Sequence, residues 1–571
     1  MELPSLWFVC LLVLCDRGNG RHLTDDADEE RPYHHPRITI DRTREDDVIN
    51  GVNWTQRAQD ELYETLNVRQ LVHPAKNVIL FIGDGMGIST QTPTRFLKAQ
   101  LAGKLITDTS LSWERFDASG LIKTYNVDQQ TPDSAGTASA FMTGEKTRAG
   151  VISVNQNVRR GDCLNSKGNE AKSLLQYSME RGKLTGVITT ARITHATPSC
   201  AYAHSADRDW ENDAELLEVE NGDLCHDIGW QLVHGAGNDQ IRVILGGGRR
   251  NMMPNDTADP EYPLKYGERL DGHDLREDWV EIQKSKGLTD NQYKYVENLT
   301  AFNAVNPTEV EYLMGLFEHD HMKYEMMRAD DPWGEPSLAD MVRKSIDILK
   351  KGMDGFFLYV EGARIDHAHH DNKAYHALHD TLALEEAVQA AADMTDENDT
   401  LLVLTADHSH TFSMAGYPRI SNDIFGKVEN INGEIVMAGD DKPYLTLGYV
   451  NGPGFLIHRT QNLSLDTEIP RKNLTDQVTN GNLYLQDAGV PLLSETHGGE
   501  DVAIYARGPM SHLFIGLHEQ HYIAHAIGYA SCVGWNTELC GDISKVSSAT
   551  IPQIGLILLL SYVMAAIFLR G

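Results

Sequence analysis

Asn77-Val78-Ile79-Leu80-Phe81-Ile82-Gly83-Asp84 decides the fold: an unbroken apolar run held between Asn77 and Gly83, delivering an acid at its far end. A strand with one face in water alternates apolar and polar side chains. One that is apolar throughout is covered on both faces, as the strands of parallel sheets are. Comparable runs recur at 184–190, 355–360 and 401–405 and alternate with the longer helical patterns 337–351 and 374–392. The expectation is an α/β fold with a central, mainly parallel sheet flanked by helices. Residues 420–486 are rich in Gly, Asn and Pro, carry short strand-like pieces, and read as an inserted subdomain.

Ligands of such sheets bind beyond the carboxyl ends of the strands. Every run here empties into polar residues at that place: the first into Asp84, the second toward His195 and Thr197, the third into Glu361, Asp366 and His370, the fourth into Asp407 and His408. Glu495-Thr496 leads into His497. Carboxylates and imidazoles in this pattern are a set of metal ligands. Thr131-Pro132-Asp133-Ser134-Ala135-Gly136-Thr137-Ala138-Ser139-Ala140 adds one hydroxyl, Ser134, beside an acid and ahead of small residues. This suits a nucleophile in the first turn of a tightly packed helix, where the positive helix end favours an anionic substrate. Taken alone, Ser134 is as readily a helix cap, and Asp366 with His370 is as readily a solvated helical pair.

The chain of 571 residues carries a net charge of −32 without a confined acidic tail, which argues against a polyanionic partner such as nucleic acid. An anionic substrate then requires local positive charge, and bound metal ions supply it. Residues 6–15 are apolar and too few to span a bilayer, and Gly18-Asn19-Gly20 follows, so residues 1–20 read as a signal peptide despite Glu2 and the lack of a basic residue ahead of them. The apolar run 554–569 behind a polar stretch reads as a GPI-attachment signal over 542–571, with Asp542, Ser544 and Ser547 all open as the attachment residue; a terminal membrane helix is the competing reading. The mature chain is then 21–541 on the outer face of the cell membrane. Outside the signal peptide the cysteines are Cys163, Cys200, Cys225, Cys532 and Cys540, an odd number in an oxidising compartment. Cys532 with Cys540 closes a short loop, Cys163 with Cys225 is the second pair, and Cys200 remains a buried thiol. Sequons stand at Asn53, Asn255, Asn298, Asn398, Asn462 and Asn473.

Six segments together resemble the motif set of animal alkaline phosphatases, in the family's order. They are Gly83-Asp84-Gly85-Met86-Gly87, Thr131 to Ala140 as quoted, Thr194-His195-Ala196-Thr197-Pro198, the run from Glu361 to His370, Thr405-Ala406-Asp407-His408-Ser409-His410, and the run from Glu495 to Asp501. The resemblance extends from about Val78 to the C-terminal tail. It implies hydrolysis of phosphate monoesters by two zinc ions and one magnesium ion through a covalent phosphoserine at Ser134. Asp366, His370 and His497 would hold one zinc; Asp84, Asp407, His408 and the Ser134 oxygen the other; Asp84, Thr197 and Glu361 the magnesium. Arg208 would bind the phosphate, and broad specificity follows because every such contact is to phosphate.

His195, His367 and His410 would orient ligands or phosphate from behind, while His369 is structural and Arg364 an ion-pair partner. Glu261, Phe317 through its carbonyl, Glu318 and Glu335 match a calcium site, although the family's pattern has an aspartate at Glu335. Ala363, Gly498 and Thr197 are small departures that keep size or hydroxyl. Tyr417 matches an aromatic that reaches the neighbouring subunit's site, implying a homodimer with residues 420–486 as a crown at its interface. Competing readings are a phosphodiesterase or sulfatase-like hydrolase on a related scaffold, or a surface receptor that uses the fold as a platform.

Overall fold

The computed structural model describes residues 50–457, 471–535 and 537–540. The signal peptide, the GPI-attachment signal, Asn462 and part of the 420–486 segment lie outside the described residues.

Fifteen strands occur among those residues, in chain order: β1 Asn77–Gly83, β2 Ala118–Lys123, β3 Leu184–Arg192, β4 Val243–Gly247, β5 Tyr293–Val296, β6 Tyr312–Leu316, β7 Phe356–Gly362, β8 Thr400–Ala406, β9 Ser409–His410, β10 Phe412–Met414, β11 Leu447–Gly452, β12 Ala488–Pro491, β13 His497–Gly498, β14 Val502–Arg507 and β15 Gly516–Glu519. Ten of them form one sheet in the order β15-β2-β14-β8-β1-β7-β3-β4-β6-β5. From β8 to β5 every neighbouring pair is parallel; β14 alone runs against its neighbours β2 and β8. The sequence expectation of a mainly parallel sheet therefore holds. Val78, Ile79, Leu80, Phe81 and Ile82 are all fully buried, which is why β1 tolerates no polar interruption.

Helices cover the sheet. Leu338–Leu349 begins at Ser337, whose hydroxyl accepts from the Asp340 amide, and buries Leu338, Met341, Val342, Ser345, Ile346 and Leu349, the three- and four-residue spacing of one helical face. It packs on the 21-residue helix Ala374–Met394. A smaller core of Leu97, Tyr375, Phe412, Phe425 and Tyr449 lies under a separate sheet ordered β10-β11-β12. That sheet starts at Phe412 and ends at Pro491, so β10 and β12 flank residues 420–486 and β11 falls within them. Its outer strands are too short to announce themselves by periodicity.

Both expected disulfides are present, Cys163–Cys225 and Cys532–Cys540. Cys200 is a free, buried thiol whose hydrogen is directed to the Ala135 carbonyl, and burial pushes its pKa up to about 12.

Two outcomes follow. Phe81→Ala removes a fully buried ring from β1, the strand between β7 and β8, and lowers stability by about 3–5 kcal/mol, read as a shift in the denaturant midpoint. Cys200 in the native protein resists a thiol-specific disulfide reagent at neutral pH and reacts within the mixing time once unfolded.

Candidate active site

Register fixes the site. In β1, Ile82 stands level with Glu361 of β7 and with Thr405 of β8, and Gly83 stands level with Gly362 and Ala406. Asp84 and Asp407 are the next residues, level with each other and two residues beyond Glu361, so three adjacent strands deliver carboxylates to the same end of the sheet. Thr189 of β3, level with Glu361, donates its hydroxyl to Glu361 Oε2. Beyond β3, Thr197 in the short helix Ala196–Ser199 donates to Asp84 Oδ2 at 3.4 Å. Asp407 Oδ1 accepts from the amides of Gly85 and His408 at 2.9 and 2.8 Å. Gly85 adopts a left-handed φ of +69°, and a Cβ there would strike the His410 ring.

Ser134 is the first residue of the helix Ser134–Thr143. The cap is its neighbour: Asp133 Oδ1 accepts from the Gly136 amide at 3.1 Å. The helix-cap reading of Ser134 is thereby corrected, and its Oγ is left 3.1 Å from His408 Nε2. Every residue of this helix is buried, and a Cβ at Gly136 would meet Asn126 Oδ1 at 2.5 Å. Asp133 Oδ2 accepts from the Gly150 amide at 2.9 Å and from Arg208 Nη1 at 3.1 Å, so the acid that caps the helix also holds the arginine.

The short helix Arg364–His370 follows β7 directly and puts Asp366 and His370 on one face, with His370 Nε2 3.2 Å from Asp366 Oδ1. His497 Nε2 lies 3.3 Å from the same oxygen and 3.1 Å from His370 Nε2. The far nitrogens are committed: His370 Nδ1 donates to the Glu495 carbonyl at 2.5 Å and His497 Nδ1 to the Pro132 carbonyl at 2.8 Å. A carbonyl can only accept, so each ring carries its proton there and turns an Nε2 lone pair toward Asp366. Two lone pairs and a carboxylate facing one another call for a cation. His408 is arranged likewise, Nδ1 toward the Ser409 carbonyl at 3.2 Å, Nε2 at 3.1 Å from Asp407 Oδ2 and 3.5 Å from Asp84 Oδ1.

Electrostatics give the same answer. Burial, then the charges of Asp407, Asp366 and Glu361, hold the Asp84 carboxyl well above the ordinary carboxylate range. Burial also pushes Glu361 up to about 8. Asp84 Oδ1 and Glu361 Oε1 are buried without a hydrogen-bond partner. Unpaired buried carboxylates are costly, and bound cations remove the cost. The donor types divide accordingly: imidazoles with carboxylates suit zinc, and the all-oxygen set of Asp84, Thr197 and Glu361 suits a hard ion.

The supporting histidines differ. His410, paired with His497 across β9 and β13, spans Asp366 Oδ1 at 2.8 Å and Glu495 Oε2 at 2.5 Å. Burial would depress it, but Glu495 and Asp366 hold it at about 10, an imidazolium with both N–H groups engaged. His369 bonds the Thr90 and Tyr449 hydroxyls at 2.9 and 2.8 Å, so both its nitrogens are engaged. His195 lies 3.4 Å from Arg208 Nη2. Its ring meets those of His367 and His321 at 5.4 and 5.3 Å. Arg364 lies over the Tyr324 ring and 3.2 Å from His367 Nδ1.

Sequence reasoning passed over three residues around the active site and a fourth at the calcium candidate. Asp133 and Glu495 stand inside quoted motifs, so their positions were the available signal. His321 had none. At the calcium candidate, Glu261 and Glu318 converge with Asp331, which the sequence reading omitted, while Glu335 Oε1 accepts from the Lys323 amide at 2.8 Å beside them. Arg249 Nη2 at 2.8 Å from Glu261 and Lys323 Nζ at 3.3 Å from Glu318 already bring positive charge there.

A parallel sheet whose strand ends carry imidazoles and carboxylates around a buried serine defines a metal-binding α/β enzyme. The alkaline phosphatase family model matches residues 75–533. The tissue-nonspecific alkaline phosphatase of Rattus norvegicus is 44% identical over 510 residues, 89% of this chain and 93% of the relative; the Homo sapiens isozyme is 41% identical over 522 residues, 90% and 95%. Alkaline phosphatase from Thermus thermophilus shares the fold, with a TM-score of 0.57 at 22% identity, covering 84% of this chain and 98% of that one. The chain belongs to the alkaline phosphatase family. It is a metal-dependent enzyme that hydrolyses phosphate monoesters.

Asp133→Asn retains a capping acceptor but faces Arg208 and the Gly150 amide with an uncharged group. We expect kcat/KM to fall about tenfold, the loss of a charge-assisted hydrogen bond of ~1.4 kcal/mol, with little change in thermal midpoint.

Proposed function

We propose that hydrolysis proceeds through a phosphoserine at Ser134, with two zinc ions and one magnesium ion in the site. The observation that carries this reading is the placement of Ser134 Oγ, 3.1 Å from His408 Nε2 at the positive end of a buried helix. Asp366, His370 and His497 would hold one zinc, Asp84, Asp407 and His408 the other, and Asp84, Thr197 and Glu361 the magnesium. When bound, these ions supply Lewis acidity and a lowered pKa for oxygens at the site.

The chain's own groups do the rest. Asp133 and His195 fix the Arg208 guanidinium, which grips two non-bridging phosphate oxygens. The Ser134 proton passes to solvent as Oγ attacks phosphorus, the ester P–O bond breaks, and the departing alkoxide takes up a proton from water to leave as the alcohol. Water then cleaves the phosphoserine, yielding inorganic phosphate and restoring the hydroxyl. His410 keeps Asp366 oriented between His370 and His497 throughout.

Lipid attachment at the outer membrane face and dimerisation belong to the same proposal. Among the described residues no helix is long and apolar enough to cross a membrane. Tyr417, 99% exposed on a positive-φ turn with Gly416, supports a subunit contact at that point.

Ser134→Ala should lower kcat on a chromogenic monoester by at least about a thousandfold, with the metal content unchanged apart from weaker retention at the His408 site. Chelation should abolish turnover and zinc with magnesium restore it. A fully metal-loaded Ser134→Ala enzyme of near-normal kcat would remove the phosphoserine.

A further inference from the structure

Away from the active site, His234, His273 and Asp278 bring three ligand atoms together at the surface. His234 is the last residue of the helix Ile228–His234, and Asp278 lies in the first turn of the helix Leu275–Ser285. His273 stands in the segment just ahead of that helix. His234 Nε2 and His273 Nδ1 each approach the same oxygen, Asp278 Oδ2, at 2.9 Å. The side chains are 26%, 45% and 28% exposed, so an ion can reach them from solvent.

We propose that these residues form a site for a borderline divalent transition-metal ion, with water completing the coordination. Two imidazole nitrogens and one carboxylate oxygen are the donors such ions take, and an open position suits a surface site. Spacings of 2.9 Å need to open by only a few tenths of an ångström for donors that each sit about 2.0–2.2 Å from one shared ion. Without metal the two rings donate to Asp278. On binding, each neutral ring carries its proton on the other nitrogen and presents a lone pair. His234 also ends its helix, where the partial negative charge of the helix terminus favours a cation. The ion would tie two helices together through side chains from each.

Trp230 provides a reporter, its indole 4.1 Å from the His234 ring and 5.1 Å from the His273 ring. The experiment titrates nickel(II) into tag-free enzyme that holds two zinc ions and one magnesium ion per chain by metal analysis, with excess and weakly bound zinc dialysed away. We expect one further equivalent to bind, a saturable quenching of tryptophan fluorescence, and a higher thermal midpoint. Trp230→Phe should lose most of the quenching while keeping the shift in midpoint. His273→Ala and Asp278→Asn should lose both while hydrolysing monoester at the wild-type rate, which marks an intact fold. The proposal is overturned if the wild-type enzyme binds no further equivalent, which would leave a hydrogen-bonded surface triad, or if the further equivalent survives in the double variant His234→Ala, His273→Ala.

Discussion

Three parallel strands ending at the same level impose the constraint on which the rest depends. Because β7, β1 and β8 are in register at Glu361, Ile82 and Thr405, the chain cannot end these strands without bringing Glu361, Asp84 and Asp407 together. All three are buried, and their repulsion adds to the cost of taking each from water. Much of the surrounding architecture meets that cost. Backbone amides of Gly85 and His408 serve Asp407, hydroxyls of Thr189 and Thr197 serve Glu361 and Asp84, and the remaining oxygens stay free for cations.

Asp366 meets the same problem in another way. It lies amid imidazoles from three segments, His370, His410 and His497, and they hold its carboxyl well below the ordinary range although burial alone would raise it. One of the three is different in kind. His410 is clamped between two carboxylates and has no nitrogen to spare, so it positions Asp366, whereas His370 and His497 direct lone pairs inward. Chemically similar neighbours thus separate into rings with an inward lone pair and a ring with none, according to what their second nitrogen faces.

Local chemistry made much of this legible in the sequence. Fully apolar runs announced a doubly covered parallel sheet, and residues just past those runs had to lie at strand ends. Spacing of four put Asp366 and His370 on one helical face. Long-range pairings were not legible. Asp133 reads as an acid beside a serine, and only the fold shows that one oxygen caps the helix while the other holds Arg208, 75 residues away in sequence. His321 joins His195 and His367 only because the segment after β6 folds back over β3. Nor were β10 and β12 legible, strands that flank residues 420–486 and have too few residues to display a period.

The overall charge of −32 sharpens what the centre must do. A phosphate monoester approaching this chain meets a repulsive surface, and its attraction must be local and short-ranged at physiological salt. Arg208 alone cannot supply it, since one guanidinium group is already shared with Asp133. The buried carboxylates that would otherwise add to the repulsion are the groups that gather cations. On the proposed assignment, the same acids that burden the metal-free protein would concentrate positive charge beside Ser134, where the helix end adds to it.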